Sequence, residues 1–561
     1  MHPGEQHPLG ADAAGTRATA PSPELVEGWP GGADRAGHRE QPARRAIRRP
    51  LMALAWIVGG AGLFVLFLRV SLMMGVSSDA ANNALQAWDM AHGHLLLHGW
   101  LIGDATYWTF DLPVMAVVEV VLGLHTISVH VALALIYVIV AVCAVAIAVT
   151  GASDTAARLS RAATVVAILA APSLLAADRW VTLGLPDHTG TVVFLLVSCL
   201  LVDRAPSRRF TAPLLCVILC AGQIADVTVR YVTVPAICVM AAYQILAARK
   251  IRTGDTAILL AGIASLPLAT VVRALMRHFG SYLMVSPKTK IAPVSLWSHN
   301  AKLAWASLRE LFGSQVSPGW PPAGAWAIFG SACLVAVAIG FVAAVLRWPR
   351  ARRAEQVLTV AIIANIGVYV LSTLPGPNTP HDIVAVLPAG AILAARALVP
   401  ARLAGRLPRL AAAGVAALTV CAALLPLSLI AAKPPATGFS GANQRVADWL
   451  TAHGLSYGLS GYWTGPAITL QDSNGVQIRT IIPTGGAARP YPWETNLLWF
   501  DPHHYYANFV ILQGGDGGTV PVIERIFGKP AYTHTIGAAE ILVYRKNLLT
   551  EVRRAILKQV S

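Results

Sequence analysis

Long apolar segments punctuated by short clusters of Arg and Lys constrain this chain more than any other feature. The run from Leu51 to about Met74 carries one charge, Arg69, and a segment of that length and polarity is stable as a bilayer-spanning helix. Comparable segments fall near 127–150, 162–177, 187–203, 211–226, 229–248, 255–272, 323–347, 356–374, 383–399 and 409–432, about eleven spans in all. With 55% hydrophobic residues, 13% charged residues and a mean hydropathy of +0.58, the expected fold class is an α-helical polytopic membrane protein.

The formal charge of +15 does not point to nucleic acid, because the cations sit between apolar segments, where cytoplasmic loops are marked. Arg44, Arg45, Arg48 and Arg49 precede the first span and place the N-terminus in the cytoplasm. Alternation then puts Arg158/Arg161, Arg204/Arg208/Arg209, Arg249/Lys250/Arg252, Arg347/Arg350/Arg352/Arg353 and Arg402/Arg406/Arg409 on that same side. Residues 1–46 lack apolar periodicity and read as a disordered cytoplasmic tail, unlike a cleaved signal peptide in polarity and length. Residues 47–432 form the transmembrane domain, with outer loops at 75–125 and 273–322. Residues 433–561 are then extracytoplasmic, in a multi-pass protein of the cell (inner or plasma) membrane. Their composition shifts to Gly, Tyr, Trp and His, with a helix over Asn443–His453 closed by Gly454, strands over 476–482, 508–512 and 541–544, and a turn at Ser473-Asn474-Gly475. That is a small α/β domain. All seven Cys lie in apolar segments and read as core residues, not as a disulfide or metal framework.

The stretch Ser77–Leu124, SSDAANNALQAWDMAHGHLLLHGWLIGDATYWTFDLPVMAVVEVVLGL, is too polar to span. No Lys or Arg occurs between Arg69 and Arg158, while Asp79, Asp89, Asp104, Asp111 and Glu119 all fall there. Asp79 lies just beyond the first span and fits two roles: an N-cap, shared with Ser77 or Ser78, of a helix over Ala80–His92, or a general base for a hydroxyl acceptor. A divalent metal, Mg or Mn, is the cofactor such a carboxylate would hold, although the sequence assigns no metal ligand set. His92, His94 and His98 read as satisfied interfacial histidines. Asp89, Asp104, Asp111 and Glu119 read as surface or capping residues. Trp108, beside Tyr107 and Phe110, belongs to an interfacial aromatic belt or forms a stacking wall for a ring-shaped substrate.

An acidic loop after the first span, an apolar piece behind it, many spans and an outer C-terminal domain resemble the GT-C glycosyltransferases. The resemblance is nearest to the polyprenyl- and dolichyl-phosphate-sugar-dependent branch that includes protein mannosyltransferases and aminoarabinose transferases. It covers most of 51–432 in architecture, and its specific motif content is Asp79 within SSDAANNALQAWDMAHG. In that family an Asp of the first outer loop is the catalytic carboxylate, and Asp79 is the matching position; Asp79-Ala80 stands where several members carry Asp-Glu. The resemblance implies inverting transfer of a hexosyl or pentosyl unit from a lipid-linked donor on the extracytoplasmic face, with a glycan, lipid or protein acceptor and membrane lipids as partners.

A lipid-phosphate leaving group needs cations. The loop Arg273–Pro322 carries Arg273, Arg277, Lys288, Lys290, Lys302 and Arg309 against Glu310 alone, which the positive-inside bias disfavours on an outer face. Lys288, Lys290 and Arg277 are the candidate phosphate ligands, with anionic headgroups as the plain alternative use. Asp187, His188 and His381, at span mouths, are candidate cavity residues. The C-terminal aromatics Tyr457, Tyr462-Trp463, Tyr491-Pro492-Trp493, Trp499-Phe500 and Tyr505-Tyr506 read first as core or docking residues. Two further readings remain: a transporter or lipid flippase, which needs ionisable groups at span midplanes and inverted repeats, and a non-catalytic envelope assembly protein, for which Asp79 is dispensable.

Overall fold

The computed structural model describes residues 42–175, 180–184, 187–204, 209–248, 253–285, 289–314, 323–376, 379–401, 410, 414, 438–473 and 475–560. Residues 1–58 and 59–561 form two compact units. The first contributes the start of helix Pro42–Ser71. Lys288 and the expected span at 409–432 lie outside the described residues.

Each other apolar segment is helical. Thr126–Ala148, Thr228–Ala248, Thr253–His278, Ala327–Leu346 and Arg353–Leu371 are long and apolar enough to cross a membrane, and Trp56–Ser71, Thr211–Ala225 and Val386–Leu398 are shorter apolar helices. Between them runs one continuous core that includes Phe67, Tyr137, Leu169, Leu195, Leu219, Met240, Leu358 and Leu387.

The two ends of these helices differ chemically. At one end Arg353 meets Asp255 at 2.5 Å, Arg352 meets Asp203 at 3.0 Å, Arg396 meets Glu355 at 3.2 Å, and Arg161 donates to the Val399 carbonyl at 3.0 Å. At the other end lie Asp187, His188, Asp226, His381 and Asp382, at or just outside the termini of helices Thr191–Arg204, Thr211–Ala225 and Val386–Leu398.

The C-terminal region builds a six-stranded mixed sheet. Its strands are β3 (Tyr457–Ser460), β4 (Gln477–Thr484), β5 (Ala487–Pro490), β7 (Phe509–Gln513), β8 (Tyr532–Ile536) and β9 (Ala539–Val543), in the order β5-β4-β3-β7-β9-β8. β3 pairs in parallel with both β4 and β7, so the chain leaves β3 for one neighbour and later returns to the other. Apolar clusters cover both faces, one around Leu459, Val510 and Leu542 and one around Ile478, Ile511 and Ile541. The helix Gly438–Ala452 and Gly454, at φ +65°, lie where the sequence pattern places them.

A second, three-stranded sheet joins regions far apart in sequence. β1 (Trp100–Ile102) pairs in parallel with β2 (Leu283–Met284) and antiparallel with β6 (Thr495–Asn496), Leu101 standing opposite both Leu283 and Thr495. The first polar loop, the basic loop and the C-terminal region are thereby hydrogen-bonded together. Leu470 and Trp499 pack into the cluster formed by Leu85, Leu97, Trp100 and Leu112, and the Trp100 and Trp499 rings meet edge-on at 5.0 Å.

Candidate active site

Asp79 stands in the first turn of helix Ser78–Ala91. The cap is taken by Ser77, whose Oγ accepts from the Ala80 N–H at 3.2 Å, so the Asp79 side chain is released from that duty. Its Oδ1 instead accepts from the Tyr462 hydroxyl at 2.5 Å, across 383 residues of sequence. The same hydroxyl lies 2.9 Å from Glu494 Oε2, and the Tyr491 ring stacks on that of Tyr462 at 4.6 Å.

Local structure explains why these groups converge. Tyr462 follows the C-terminal end of β3, where the sheet's connections diverge to either side, the position at which α/β sheets present ligand-facing groups. The turn before it requires Gly461, because a Cβ there would overlap the Asp516 carboxyl. Glu494 immediately precedes β6, so its place is fixed by the pairing of β6 with β1. Gly103, just past β1, lets the Trp493 indole close against the backbone.

Burial raises the Asp79 pKa to about 6, the Tyr462 hydrogen bond pulling it down, Asp187 pushing it up and His381 pulling it down. Glu494 is fully buried beside a second carboxylate, so burial first and the Asp79 charge second raise its pKa well above the ordinary carboxylate value. One phenol has one proton, and it cannot serve two ionised carboxylates. Burial thus biases Glu494 toward its protonated form, and the Tyr462 hydroxyl bridges the two acids. Burial and the two acids keep Tyr462 itself un-ionised by raising its pKa.

The surrounding polar groups form a second shell of charge. Tyr107 donates to Asp187 Oδ1 at 3.2 Å. His188 Nδ1 lies 2.5 Å from Asp226 Oδ2, which also accepts from Thr191 at 2.7 Å. Burial would lower the His188 pKa, but Asp226 outweighs it and raises the value to about 10, so the pair is a buried imidazolium and carboxylate. The His381 ring stacks parallel to His188 at 6.1 Å, and both reach Asp382 at 3.9 Å. The first polar loop is tied to this cluster through Thr106 Oγ1 to the Ile224 carbonyl at 2.7 Å and a bridge between Ala105 and Asp226. Of the five described non-glycine residues at positive φ, Tyr107, His188 and Glu494 are three, and backbone strain of this kind persists where a surrounding site over-determines it.

Asp79, Asp187, His188 and His381 are thus brought into one electrostatic neighbourhood. The basic-loop candidates stand farther out. Arg277 is exposed beside a small hollow with Arg273, Ser281 and Tyr282. Lys290 is exposed, its N–H donating to Thr373 Oγ1 at 3.0 Å, which pins that loop to the end of helix Arg353–Leu371. Trp108 is half-buried and donates from Nε1 to the Leu95 carbonyl at 2.8 Å. His92, His94 and His98 each have a separate partner, the Trp88 carbonyl, Asp89 and the Gly280 carbonyl.

Three expectations need correction. Asp111 and Glu119 are buried rather than on the surface, both 1% exposed, because helix Asp111–Leu122 packs against helix Ser78–Ala91 and turns these side chains inward. Burial raises the Asp111 pKa to about 8, a protonated acid in a dry environment. Asp89 caps nothing: Oδ2 accepts from Trp100 Nε1 at 2.8 Å and Oδ1 faces His94. Tyr462 and Glu494 were not singled out as site residues by the sequence; the available signal was one acid in the aromatic run Tyr491-Pro-Trp-Glu494.

The donor set does not suit a divalent ion. Among the described residues no three His, Cys, Asp or Glu converge on a point that would hold one, and Asp79 Oδ1 is occupied by the Tyr462 hydroxyl.

No protein-family model matches the sequence, and no curated protein matches it. Among solved structures, the chain is similar to ArnT from Cupriavidus metallidurans in the apo state, with a TM-score of 0.51 and 11% identity over 88% of this chain and 98% of that one. It is also similar to ArnT from the same organism bound to undecaprenyl phosphate, with a TM-score of 0.50 and 11% identity over 88% and 97% of the two chains.

Proposed function

We propose that this chain, which has the GT-C glycosyltransferase fold, transfers a sugar from a polyprenyl-phosphate-linked donor to an acceptor hydroxyl, with Asp79 as the base. The observation that carries the reading is the Asp79–Tyr462–Glu494 chain: a carboxylate tuned to about 6 by burial, freed from capping and held at the seam between the first polar loop and the C-terminal region. A base of that pKa is largely ionised at neutral pH yet still takes up a proton readily.

In the proposed step the acceptor O–H gives its proton to Asp79 while its oxygen attacks the anomeric carbon. The bond from that carbon to the donor phosphate oxygen breaks, and the lipid phosphate leaves with the electron pair. One displacement inverts the anomeric centre. Lys288, Lys290 and Arg277 supply positive charge for the departing phosphate, and His381 stands in the electrostatic neighbourhood of Asp79. Asp187 and His188 are assigned to substrate binding beside Asp79, and Trp108 to a stacking wall for the sugar ring. ArnT bound to undecaprenyl phosphate supports a polyprenyl phosphate as the carrier.

The charge asymmetry of the helix ends supports a membrane orientation with the Arg-rich end and the N-terminus in the cytoplasm and Asp79 on the extracytoplasmic side. Residues 433–561 are then an extracytoplasmic domain, 47–432 the membrane domain, and 1–46 a cytoplasmic tail.

The test is turnover of a panel of polyprenyl-phosphate sugars by purified protein in lipid vesicles, with release of the lipid phosphate as readout. Asp79→Asn should lose at least ~100-fold in rate while melting no earlier than the unsubstituted protein. Full transfer by that variant sinks the mechanism.

A further inference from the structure

Along the same seam, beside the last turns of the helix that carries Asp79, lies a cavity of about 200 Å³. Trp88, Asp89, Gln477, Arg479 and Trp499 are among the residues lining it. At 1.5 Å per residue, Asp89 is about 15 Å along the helix from Asp79, so this cavity is not the site of the proposed chemistry.

Its unusual member is Arg479. The side chain is 3% exposed, yet among the described residues it has no carboxylate partner. Nη1 donates to the Tyr506 carbonyl at 3.3 Å, Nε has no partner, and the guanidinium lies 5.0 Å from the Tyr505 ring and 5.9 Å from that of Tyr457. Burial lowers its pKa to about 10, which leaves it charged at neutral pH. Asp89, the acid in the same wall, has both oxygens committed, to Trp100 and His94. A buried cation without a counter-charge is destabilising, and an anion entering the cavity would supply one through charge-assisted hydrogen bonds. The Trp88 indole, whose ring meets that of His92 at 4.2 Å, the Trp499 indole and the Gln477 side chain share the wall, indoles suiting the C–H side of a sugar ring and an amide its hydroxyls.

We propose that this cavity is a subsite for a saccharide unit bearing a phosphate or carboxylate. Its role rests on the transferase reading above: an anionic unit of the acceptor, held here, presents a hydroxyl one helix length away to Asp79. Binding energy from a unit remote from the reacting centre then positions the acceptor.

Binding can be measured apart from transfer. Full-length protein in detergent is titrated with glucose 6-phosphate, glucuronate, glucose and inorganic phosphate, following tryptophan fluorescence and heat. One of the two anionic sugars should saturate the protein, with glucose and phosphate each at least ~10-fold weaker. Arg479→Gln should weaken the anionic sugar at least ~10-fold, the scale of one lost charge-assisted hydrogen bond, and Trp88→Leu should weaken it several-fold. Asp79→Asn should bind it unchanged, so an inactive transferase and an empty subsite are told apart. Failure of both anionic sugars to bind, phosphate binding as tightly as the sugars, or equal loss in Asp79→Asn overturns the proposal. If Arg479→Gln does not fold, as judged by thermal melting, an unchanged affinity in Trp88→Leu overturns it as well.

Discussion

Burial would carry the Asp79 pKa higher than about 6 were it not for the Tyr462 hydroxyl at Oδ1. Transfer should therefore show an acid limb with a midpoint near pH 6, rising toward neutral pH, in a rate-versus-pH profile. Tyr462→Phe removes the stabilising donor and should move that limb upward; a limb that stays in place would detach Tyr462 from the base. Glu494 is not among the groups that shift Asp79, so Glu494→Gln should leave the limb near 6. Because the folded pKa of Asp79 lies above its ordinary value of 3.8, the protonated form stabilises the fold below about pH 4, and that contribution is lost as pH rises through 6. Asp79→Asn escapes this loss and should melt at or above the native temperature at pH 7. Asp79 was legible in the sequence because it follows the first span directly. Tyr462 and Glu494 were not, since their significance depends on a contact spanning 383 residues, which no local pattern carries.

The helices could be read from apolar run length because each repeats one chemical character over many turns. The three-stranded sheet could not. β1 has three residues and β2 and β6 have two each, too few to display a period of two. Yet this sheet positions Glu494 and binds the basic loop to the acidic one. Gly103→Val, which forces a side chain into the Trp493 indole, should displace the neighbouring Glu494 and lower transfer at least ~10-fold through overpacking. The helical circular dichroism signal should stay unchanged, and a variant with full transfer would show that the sheet need not be held so closely. In the six-stranded sheet, the expected strands over 476–482, 508–512 and 541–544 fall on β4, β7 and β9, where alternating or continuous apolar runs made them readable.

Among the described residues, the helix bundle keeps its arginine–carboxylate pairs at one end and its carboxylate and histidine cluster at the other. Stability and chemistry should therefore respond to different substitutions. Arg353→Ala leaves the buried Asp255 carboxylate without its partner, a loss of about 3 kcal/mol, and should lower the melting temperature by several degrees while the acid limb of transfer stays near pH 6. A limb that moved with it would couple the two ends. The single phenolic proton between Asp79 and Glu494 sets a further condition on turnover. In the proposed reaction that proton already occupies the hydrogen bond to Asp79 Oδ1, and the acceptor's proton is taken up by the rest of the Asp79 carboxylate. No second acceptor can be activated until that proton is shed, and with Asp79 near 6 it departs spontaneously at neutral pH. The proposed transfer is in this way metered against acid release, one proton per glycosidic bond, delivered to the side of the membrane on which Asp79 lies.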